Sequence, residues 1–299
     1  MISLKSKELQ KNAHSENWIT LSDSDLDKIH EHLLEMISDI DTVCRKHGLY
    51  YSLSGGTALG AVRHKGFIPW DDDADIFLTR DSYSKFLNVF DRELGEKYFL
   101  HSPERTPELG SVGVQLIKKN TVFKTVTTAL SDEAGVFIDI CILENAPTNR
   151  LVRKVHGYSC MFMGLCLSCR RYHEYEQEMI EIFKNTNGDI IKNIKAKSRI
   201  GKFLSFFSLE KWVQMTIKVY SCCKDKNSKY VVCPSGIKYY FKEIFKREEY
   251  CSTCDIDFSG KKFRIIKDYD KALKRLYGDY MQIPPPEKRE KHVALQLDV

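Results

Sequence analysis

Five aspartates carry the strongest chemical signal in this sequence. Four stand in "WDDDADIF" and one in the apolar stretch "GVFIDICIL": Asp71, Asp72, Asp73, Asp75 and Asp139. Side chains two apart on a strand share a face, so Asp71, Asp73 and Asp75 would align while Asp72 points away. Aligned carboxylates repel, and a lone buried carboxylate is costly, unless a cation lies between them. Mg²⁺ or Mn²⁺ binds such oxygens and bridges them to substrate phosphates.

Each of these acids also has a plainer interpretation. The clustered aspartates could form a solvated acidic loop, and Asp139 could pair with one of the arginines. The metal interpretation is favoured because the cluster and the lone acid both fall on predicted strands.

A glycine turn precedes the acidic strand. In "YYSLSGGTALG", Gly55 and Gly56 join a short strand to a brief helix, with the hydroxyls of Ser54 and Thr57 on either side. Glycine permits close backbone approach, and a helix start exposes N–H groups that bind phosphate oxygens. The turn is predicted to contact phosphate, although ordinary turns share this composition.

A basic cluster follows, formed by Arg63, His64 and Lys65. It is near enough in sequence to meet phosphate charge, and arginine binds phosphate oxygens in a bidentate manner. A solvated basic turn is the alternative.

The elements around these motifs predict an α+β fold. Apolar residues at helical spacing indicate a long first helix over 22–48 with a serine cap. A helix capped by Asp81 follows the acidic strand, and Lys119-Asn120 joins two hairpin strands. Strands are predicted at 50–54, 73–79, 112–118, 121–128, 136–142, 230–233, 254–258 and 262–266. Later helices are predicted at 151–172, 174–186, 188–199, 203–224 and 268–277.

Composition sets limits on function. The chain has 299 residues and a net charge of +5, from 46 basic and 41 acidic residues spread along it. This mild charge suits phosphorylated ligands or an anionic membrane surface and does not indicate nucleic acid. "MISLKSKELQKN" has no apolar core of signal-peptide length, so a cytoplasmic protein is expected.

The longest uncharged apolar stretch runs from Val155 to Cys169. It is too short to span a bilayer. A buried helix is the favoured interpretation, and a helix lying in a membrane interface is the alternative, since basic pairs flank the stretch on both sides.

Ten cysteines occur, and without a secretory signal they are expected to be reduced. Two C-x-x-C pairs, Cys166/Cys169 and Cys251/Cys254, have zinc-ligand spacing. They lie far apart in the chain, and the first pair falls in the apolar stretch, so a structural zinc is not expected.

Residues 56–75 resemble the LicD family of phosphotransferases, whose hallmark is G-T-L-L-G-A-V-R-H-x-G-F-I-P-W-D-D-D-x-D. The departures are Ala58 for leucine and Ala74 for a larger aliphatic residue. The likeness extends to "FIDI" at 137–140 and "YGDYMQIPP" at 277–285. It covers most of 25–145 and 240–292 but no motif in 150–230.

The resemblance implies a nucleotidyltransferase-like fold, a small mixed sheet flanked by helices with an additional helical region. Asp73 and Asp75 would then be metal ligands, Asp139 the third acid, and Asp71 a neighbour that contacts metal or water. The glycine turn would line the donor phosphates. The resemblance implies four divisions of the chain. They are a polar arm (1–20), a catalytic core (21–148), a helical acceptor region (149–229) and a segment that completes the catalytic domain (230–299).

Family members look like transferases of phosphocholine from CDP-choline to teichoic acid or lipopolysaccharide, and fukutin-type relatives use other phospho-alditol or phospho-sugar donors. The implied acceptor is a glycan or its lipid-linked precursor at the inner face of the membrane, with peripheral membrane contact. Choline favours an aromatic cage. The candidates for substrate contact are Trp70, Tyr277, Tyr280, Arg289 and His292, with core packing as the alternative for the aromatic residues.

Two other functions remain open. A nucleotidyltransferase would use the same acids but place a nucleoside monophosphate on a hydroxyl and release pyrophosphate. A non-catalytic glycan- or nucleotide-binding module would tolerate a missing acid, whereas all three acids are present here.

Overall fold

The structure is a computed structural model that describes residues 18–126, 128–184, 188–236, 238–289 and 292–299. Most of the predicted arm over 1–20 lies outside these residues. The helices are α1 (Asp23–Lys46), α2 (Gly55–Arg63), α3 (Arg80–Glu93), α4 (Arg150–Glu174), α5 (Glu176–Ile182), α6 (Gly188–Phe203), α7 (Leu209–Tyr220), α8 (Tyr239–Lys242), α9 (Arg247–Tyr250) and α10 (Tyr269–Tyr277). The strands are β1 (Tyr51–Leu53), β2 (Ala74–Thr79), β3 (Tyr98–His101), β4 (Gln115–Lys118), β5 (Val122–Thr125), β6 (Phe137–Ala146), β7 (Tyr230–Val232), β8 (Ile244–Lys246), β9 (Thr253–Phe258), β10 (Lys261–Ile266) and β11 (Ala294–Asp298).

The first helix forms as the apolar spacing predicts. Ser22 caps α1: its Oγ accepts from the Asp25 N–H at 3.2 Å, and the Asp25 carboxylate accepts from the Ser22 N–H at 2.9 Å. This reciprocal pair satisfies two N–H groups at the helix start. The predicted stripe from Ile29 to Cys44 is buried. It joins the main core, in which α1 and α3 pack against the sheet.

A mixed sheet forms the centre of the molecule and confirms the α+β class. Its strands run in the order β3-β4-β6-β2-β1-β10-β9, and β7 and β8 extend it beside β6. The pairs β2/β6 and β1/β10 are parallel, and the other pairs are antiparallel. The sheet therefore contains strands that precede the helical region in the sequence and strands that follow it. The division of the chain at 149 and 230 stays a prediction.

A separate two-stranded sheet pairs β11 with β5. The register places Ala294 opposite Thr125 and Leu297 opposite Phe123. This pairing corrects the predicted hairpin at Lys119-Asn120. The strand before that turn, β4, pairs with β3 and β6, and the strand after it, β5, pairs with the chain end. Turn composition could not reveal this, because β11 is distant in sequence.

The cap of α3 is a second correction. Thr79 is the N-cap residue, and its Oγ1 accepts from the Ser82 N–H at 3.3 Å. Asp81 lies in the first turn, where its charge suits the helix dipole.

The apolar stretch 155–169 lies within α4. One face of α4 packs on α6 and α7, with Cys160, Cys166 and Cys169 buried, while the opposite face is exposed. The buried-helix prediction therefore holds for one face only. No helix in the described ranges is long and apolar enough to cross a bilayer. The ten cysteines are free thiols.

Candidate active site

Two parallel strands bring the predicted acids together. In the β2/β6 register, Asp75 lies directly opposite Asp139. On β2, Ala74, Ile76 and Leu78 are buried, so the alternate residues face the other side of the strand. Carboxylate oxygens of Asp73, Asp75 and Asp139 all lie within 4.8 Å of one another, a group able to hold a metal ion. We call these three residues the acidic triad.

A glutamine fixes the third acid. Gln115 lies opposite Asp139 on the other flank of β6, and its Nε2 donates to the Asp139 Oδ1 at 2.8 Å. The sequence analysis did not identify Gln115. Its position becomes informative only when the register between β4 and β6 is known.

The glycine turn packs directly on the triad. Gly55 has φ +51, and a Cβ there would collide with the Asp75 carboxylate. A Cβ at Gly56 would lie 2.5 Å from the Asp71 Oδ2. Side chains at these two positions would therefore displace acids of the site.

Hydrogen bonds link the turn to Asp75. The Gly56 N–H donates to the Asp75 Oδ2 at 3.3 Å, and the Asp75 N–H donates to the Thr57 Oγ1 at 2.8 Å. The Ser54 N–H donates to the Asp75 backbone oxygen at 3.0 Å. The turn thus positions Asp75. Phosphate contact by Ser54, Gly55, Gly56 and Thr57 stays a prediction.

Asp72 has a partner that the sequence pattern did not reveal. It precedes β2, which begins at Ala74, so the predicted strand alternation does not extend to it, and it is fully buried. Its Oδ2 accepts from the His292 N–H at 3.1 Å, and its Oδ1 lies 2.8 Å from the His292 Nδ1. The His292 Nε2 lies 3.9 Å from the Asp73 Oδ2. Asp72, Asp73 and His292 form a second group with metal-ligand geometry.

Asp71 lies outside both groups. Its backbone oxygen lies 2.8 Å from the His30 Nε2, and its carboxylate lies beside Gly56. A direct role for Asp71 in metal binding stays a prediction.

Burial and mutual repulsion shape the charge of the site. Burial, together with the charges of Asp72 and Asp139, raises the pKa of Asp73 to about 7 against the opposing charge of His292. Burial and the neighbouring aspartates also hold the pKa of Asp75 well above its usual range. Burial raises the pKa of Asp139, while Gln115 and His292 oppose the rise. A divalent cation among these oxygens would relieve the repulsion.

The pKa of His292 is also raised, but by the neighbouring carboxylates. Burial disfavours its charge, but Asp73 and the hydrogen bond to Asp72 outweigh burial and raise the pKa well above its usual value. His292 therefore carries positive charge next to the acids.

The basic cluster is held by the C-terminal segment. The Arg63 Nη1 donates to the backbone oxygens of Tyr280 and Gln282, at 2.9 and 3.4 Å, and its Nε donates to the His64 Nε2 at 2.9 Å. Lys65 is exposed, with φ +56. Phosphate binding by these residues stays a prediction.

The predicted aromatic residues have different surroundings. The Arg289 guanidinium lies 4.0 Å from the Trp70 ring centroid, and the Tyr280 hydroxyl donates to the Asp270 Oδ1 at 2.8 Å. Tyr280 is buried in the main core, as the packing alternative describes. Tyr277 is 43% exposed and lines the cavity beside the triad.

A cavity of about 1020 Å³ opens at the triad. Asp75 and Asp139 line it together with Ser54 and Gly55, and its far walls come from α4, α8, α9 and α10. Ligand pockets commonly measure about 300–1,000 Å³. This cavity therefore has room for a substrate whose reacting group meets the two opposed acids.

The fold and the site define a class of protein. A glycine turn between β1 and α2, one acid just before β2 and one on it, and a third acid on the adjacent strand have the arrangement that the resemblance implies for a nucleotidyltransferase-like domain. Residues 48–155 match the family described as LicD/FKTN/FKRP, nucleotidyltransferase domain. Over these residues the chain carries the nucleotidyltransferase domain of the LicD family.

Individual relatives extend the match beyond that domain. The chain is 28% identical over 265 residues to the lipopolysaccharide cholinephosphotransferase LicD of Haemophilus influenzae, covering 87% of this chain and 92% of the relative. An uncharacterized protein of Rickettsia typhi is 33% identical over 82 residues, 25% of this chain and 26% of that protein. One of Rickettsia prowazekii is 38% identical over 69 residues, 21% of this chain and 26% of that protein.

Proposed function

We propose that this protein transfers phosphocholine, or a related phospho-alditol or phospho-sugar group, from a CDP-linked donor to a hydroxyl of a cell-surface glycan or its lipid-linked precursor. One observation carries the proposal. The acidic triad opens into a large cavity in a chain that is similar, over 87% of its length, to a relative named as a lipopolysaccharide cholinephosphotransferase.

Asp73, Asp75 and Asp139 would hold a Mg²⁺ or Mn²⁺. The residues fit such an ion, because three clustered carboxylates with raised pKa values have no compensating cation other than His292 among the described residues near them. When bound, the ion would neutralise diphosphate charge and stabilise the oxygen that leaves.

The protein's own groups would orient the reactants and accept a proton. The acceptor hydroxyl attacks the phosphorus that bears choline, the bond from that phosphorus to the bridging oxygen breaks, and CMP leaves. Asp139 is the proposed base, because Gln115 fixes its orientation and burial raises its pKa. Asp75, held by the glycine turn, is the proposed anchor of the donor diphosphate through the ion.

Phosphorus NMR tests the proposal. Purified protein is incubated with Mg²⁺, lipopolysaccharide and, in turn, CDP-choline, CDP-ribitol and CTP. CMP that forms from CDP-choline and requires both acceptor and metal is the expected result. CMP formed from CDP-ribitol but not from CDP-choline would support the same type of transfer, with ribitol phosphate in place of phosphocholine.

The nucleotidyltransferase alternative predicts a different product. Pyrophosphate released from CTP, with CDP-choline untouched, would replace phosphocholine transfer with nucleotidyl transfer. No turnover with any of the three donors would favour the non-catalytic binding alternative.

The proposed acceptor also places the protein at a membrane. A lipid-linked precursor presents its glycan at a bilayer surface, so we expect peripheral contact at the cytoplasmic face.

A further inference from the structure

The cavity contains a cation without an anionic partner. Three basic side chains line it: Arg80, Arg171 and Lys238. Arg80 forms an ion pair with Glu144, and the Lys238 Nζ donates to the Leu276 backbone oxygen at 2.9 Å. The Arg171 Nε is buried, and no hydrogen bond or ion pair reaches the Arg171 side chain from the described residues.

The fold holds this charge in place. Arg171 belongs to the last turns of α4, and its neighbour Arg170 points elsewhere and pairs with Glu174 at 2.6 Å. The nearby His101 is neutral, because burial and the charge of Arg171 lower the His101 pKa to about 4. Arg171 is half-buried with its Nε inaccessible to water, and leaving such a group unpaired is costly, so its position calls for an anion.

Arg171 and the triad share the same space. Arg171 and Asp139 both line the large cavity and also a smaller one of about 170 Å³, which Gln115, Ser111 and Gly113 help to form. An anion at Arg171 would therefore lie in the chamber where the proposed reaction occurs. A guanidinium donates two parallel hydrogen bonds to phosphate oxygens.

We infer that Arg171 binds a phosphate group of a substrate, from the wall of the cavity formed by the helical region. The phosphate belongs to the CDP-linked donor or to a phosphorylated acceptor. The choice of ligand class rests on the proposed function. The site itself rests on the cavity and the unpaired guanidinium.

Direct binding tests the site without turnover. Calorimetric titration with CDP, pyrophosphate and cytidine, each with Mg²⁺, compares the unchanged protein with Arg171→Gln. We expect the Kd for CDP and pyrophosphate to rise about tenfold or more, because a hydrogen bond to a charged group is lost, and the Kd for cytidine to stay the same. Arg170→Gln, which removes the adjacent charge outside the cavity, is the matched control.

The same variants separate the two phosphate sources. An unchanged Kd for CDP with a raised KM for lipopolysaccharide, abolished by dephosphorylating that acceptor, would assign Arg171 to the acceptor phosphate. If neither constant changes, the inference is wrong. Arg171→Lys serves if the glutamine variant does not fold, and it is expected to show an intermediate Kd because it keeps the charge but loses the bidentate fork. If the unchanged protein does not turn over CDP-choline, the proposed function is wrong, but the phosphate site at Arg171 is not contradicted.

A second inference rests on the outer face of α4. Its exposed apolar side chains recur at helical spacing along four turns. Tyr158 and Phe162 are 65% and 63% exposed, and the stripe comprises Leu151, Val155, Tyr158, Phe162 and Leu165. Phe203, at the end of α6, is 82% exposed. α6 packs on the C-terminal part of α4, where Gly201 approaches the Cys169 backbone.

Charge favours a lipid surface as the occupant of this stripe. Arg150, Arg153 and Lys154 lie at one end of α4, and no acidic residue occurs in α4 before Glu174. A second copy docked through the same face would bring like charges together, whereas anionic headgroups would neutralise them. The stripe also reaches the active-site cavity, because Phe162 and Leu165 line both.

The geometry points to an anionic bilayer surface as the partner of the α4 stripe, with the cavity opening beside it. This arrangement would present a lipid-linked acceptor to the triad. An apolar helix face flanked by basic residues is typical of interfacial membrane helices.

Vesicle sedimentation tests this contact. We expect binding to vesicles of phosphatidylglycerol and phosphatidylethanolamine, weaker binding to phosphatidylcholine vesicles, and loss of binding in Leu151→Ser/Val155→Ser/Phe162→Ser. Met281→Ser/Ile283→Ser removes comparably exposed apolar surface outside α4 and should bind normally. A dimer in solution that the α4 variant dissociates, with no vesicle binding, would assign the stripe to a second copy and overturn the inference.

Discussion

Asp75 on β2 and Asp139 on β6 are direct neighbours in a parallel register. With Asp73, their oxygens lie within 4.8 Å of one another, and Asp75 and Asp139 line the cavity. Their nearness has an electrostatic consequence, since each carboxylate raises the cost of charging the next. Five predictions concern this site and the cavity beside it.

Neutralising one acid should abolish turnover without unfolding the protein. We expect Asp75→Asn and Asp139→Asn to lower kcat about 10³-fold or more, because metal coordination supplies several kcal/mol of transition-state stabilisation. Without Mg²⁺ their melting temperatures should equal or exceed that of the unchanged protein, since one repulsive charge is gone. CMP release and thermal melts check both statements. Asp257→Asn, an exposed acid on β9 of the same sheet, should change neither quantity; full activity in either triad variant would overturn the metal assignment.

Alanine at the glycine turn should cost both stability and metal binding. Gly55 has φ +51, and a Cβ would displace the Asp75 carboxylate. Gly48 has φ +60, but no atom lies within 4 Å of the added Cβ. Both Gly55→Ala and Gly48→Ala should lose about 1–2 kcal/mol to backbone strain. Only Gly55→Ala should also weaken Mg²⁺ binding by calorimetry; equal Mg²⁺ affinity in the two variants would contradict the packing argument.

Without metal, the protein should lose stability as the pH rises. The folded pKa of Asp73 is about 7, above its ordinary value of 3.8, so the folded state holds more protons than the unfolded chain between these values. His292, with its raised folded pKa, adds to the loss above its ordinary value of 6.5. Melting temperatures should fall from about pH 5 to about pH 8 without Mg²⁺.

Added Mg²⁺ should reverse this trend. Ligand carboxylates must release protons to bind a cation, so the increase in melting temperature on adding Mg²⁺ should grow as the pH rises. Asp73→Asn should flatten the pH dependence. A metal-induced shift of the same size at every pH would mean that these carboxylates are already ionised in the metal-free protein.

Tyr277 should contribute to recognition of a cationic head group. It is exposed and lines the cavity, whereas the Arg289 guanidinium lies over the Trp70 ring. We expect Tyr277→Ala to raise the KM for CDP-choline roughly three- to thirtyfold, the range of one cation–π contact, and to leave the KM for CDP-ribitol unchanged. Trp70→Ala should affect the two donors alike. The same loss with both donors in Tyr277→Ala would indicate a packing role.

Local patterns in the sequence predicted much of this fold. The α1 stripe from Ile29 to Cys44 is buried as its spacing predicts, because an amphipathic helix packs its apolar face against the core. Alternation on β2 placed Asp75 on the face opposite the buried Ala74, Ile76 and Leu78 for a similar reason. The lone aspartate in an apolar strand added the third acid, Asp139, and the motif resemblance added the family. The sequence identified the glycine turn and the acids, but it did not indicate what holds them.

Long-range pairing decided the rest. β5 pairs with β11, Asp72 with His292 and Asp139 with Gln115. No local sequence pattern predicts any of these contacts. A strand's periodicity shows which face a side chain occupies but not which strand lies beside it. The unpaired Arg171 and the exposed stripe of α4 are likewise visible only in the folded chain, since burial and exposure depend on how α6 and α7 pack against that helix. By itself the sequence determined the residue types of the site and the elements that carry them. Only the tertiary structure decided their neighbours, because contacts between distant segments depend on the whole arrangement of the sheet and helices.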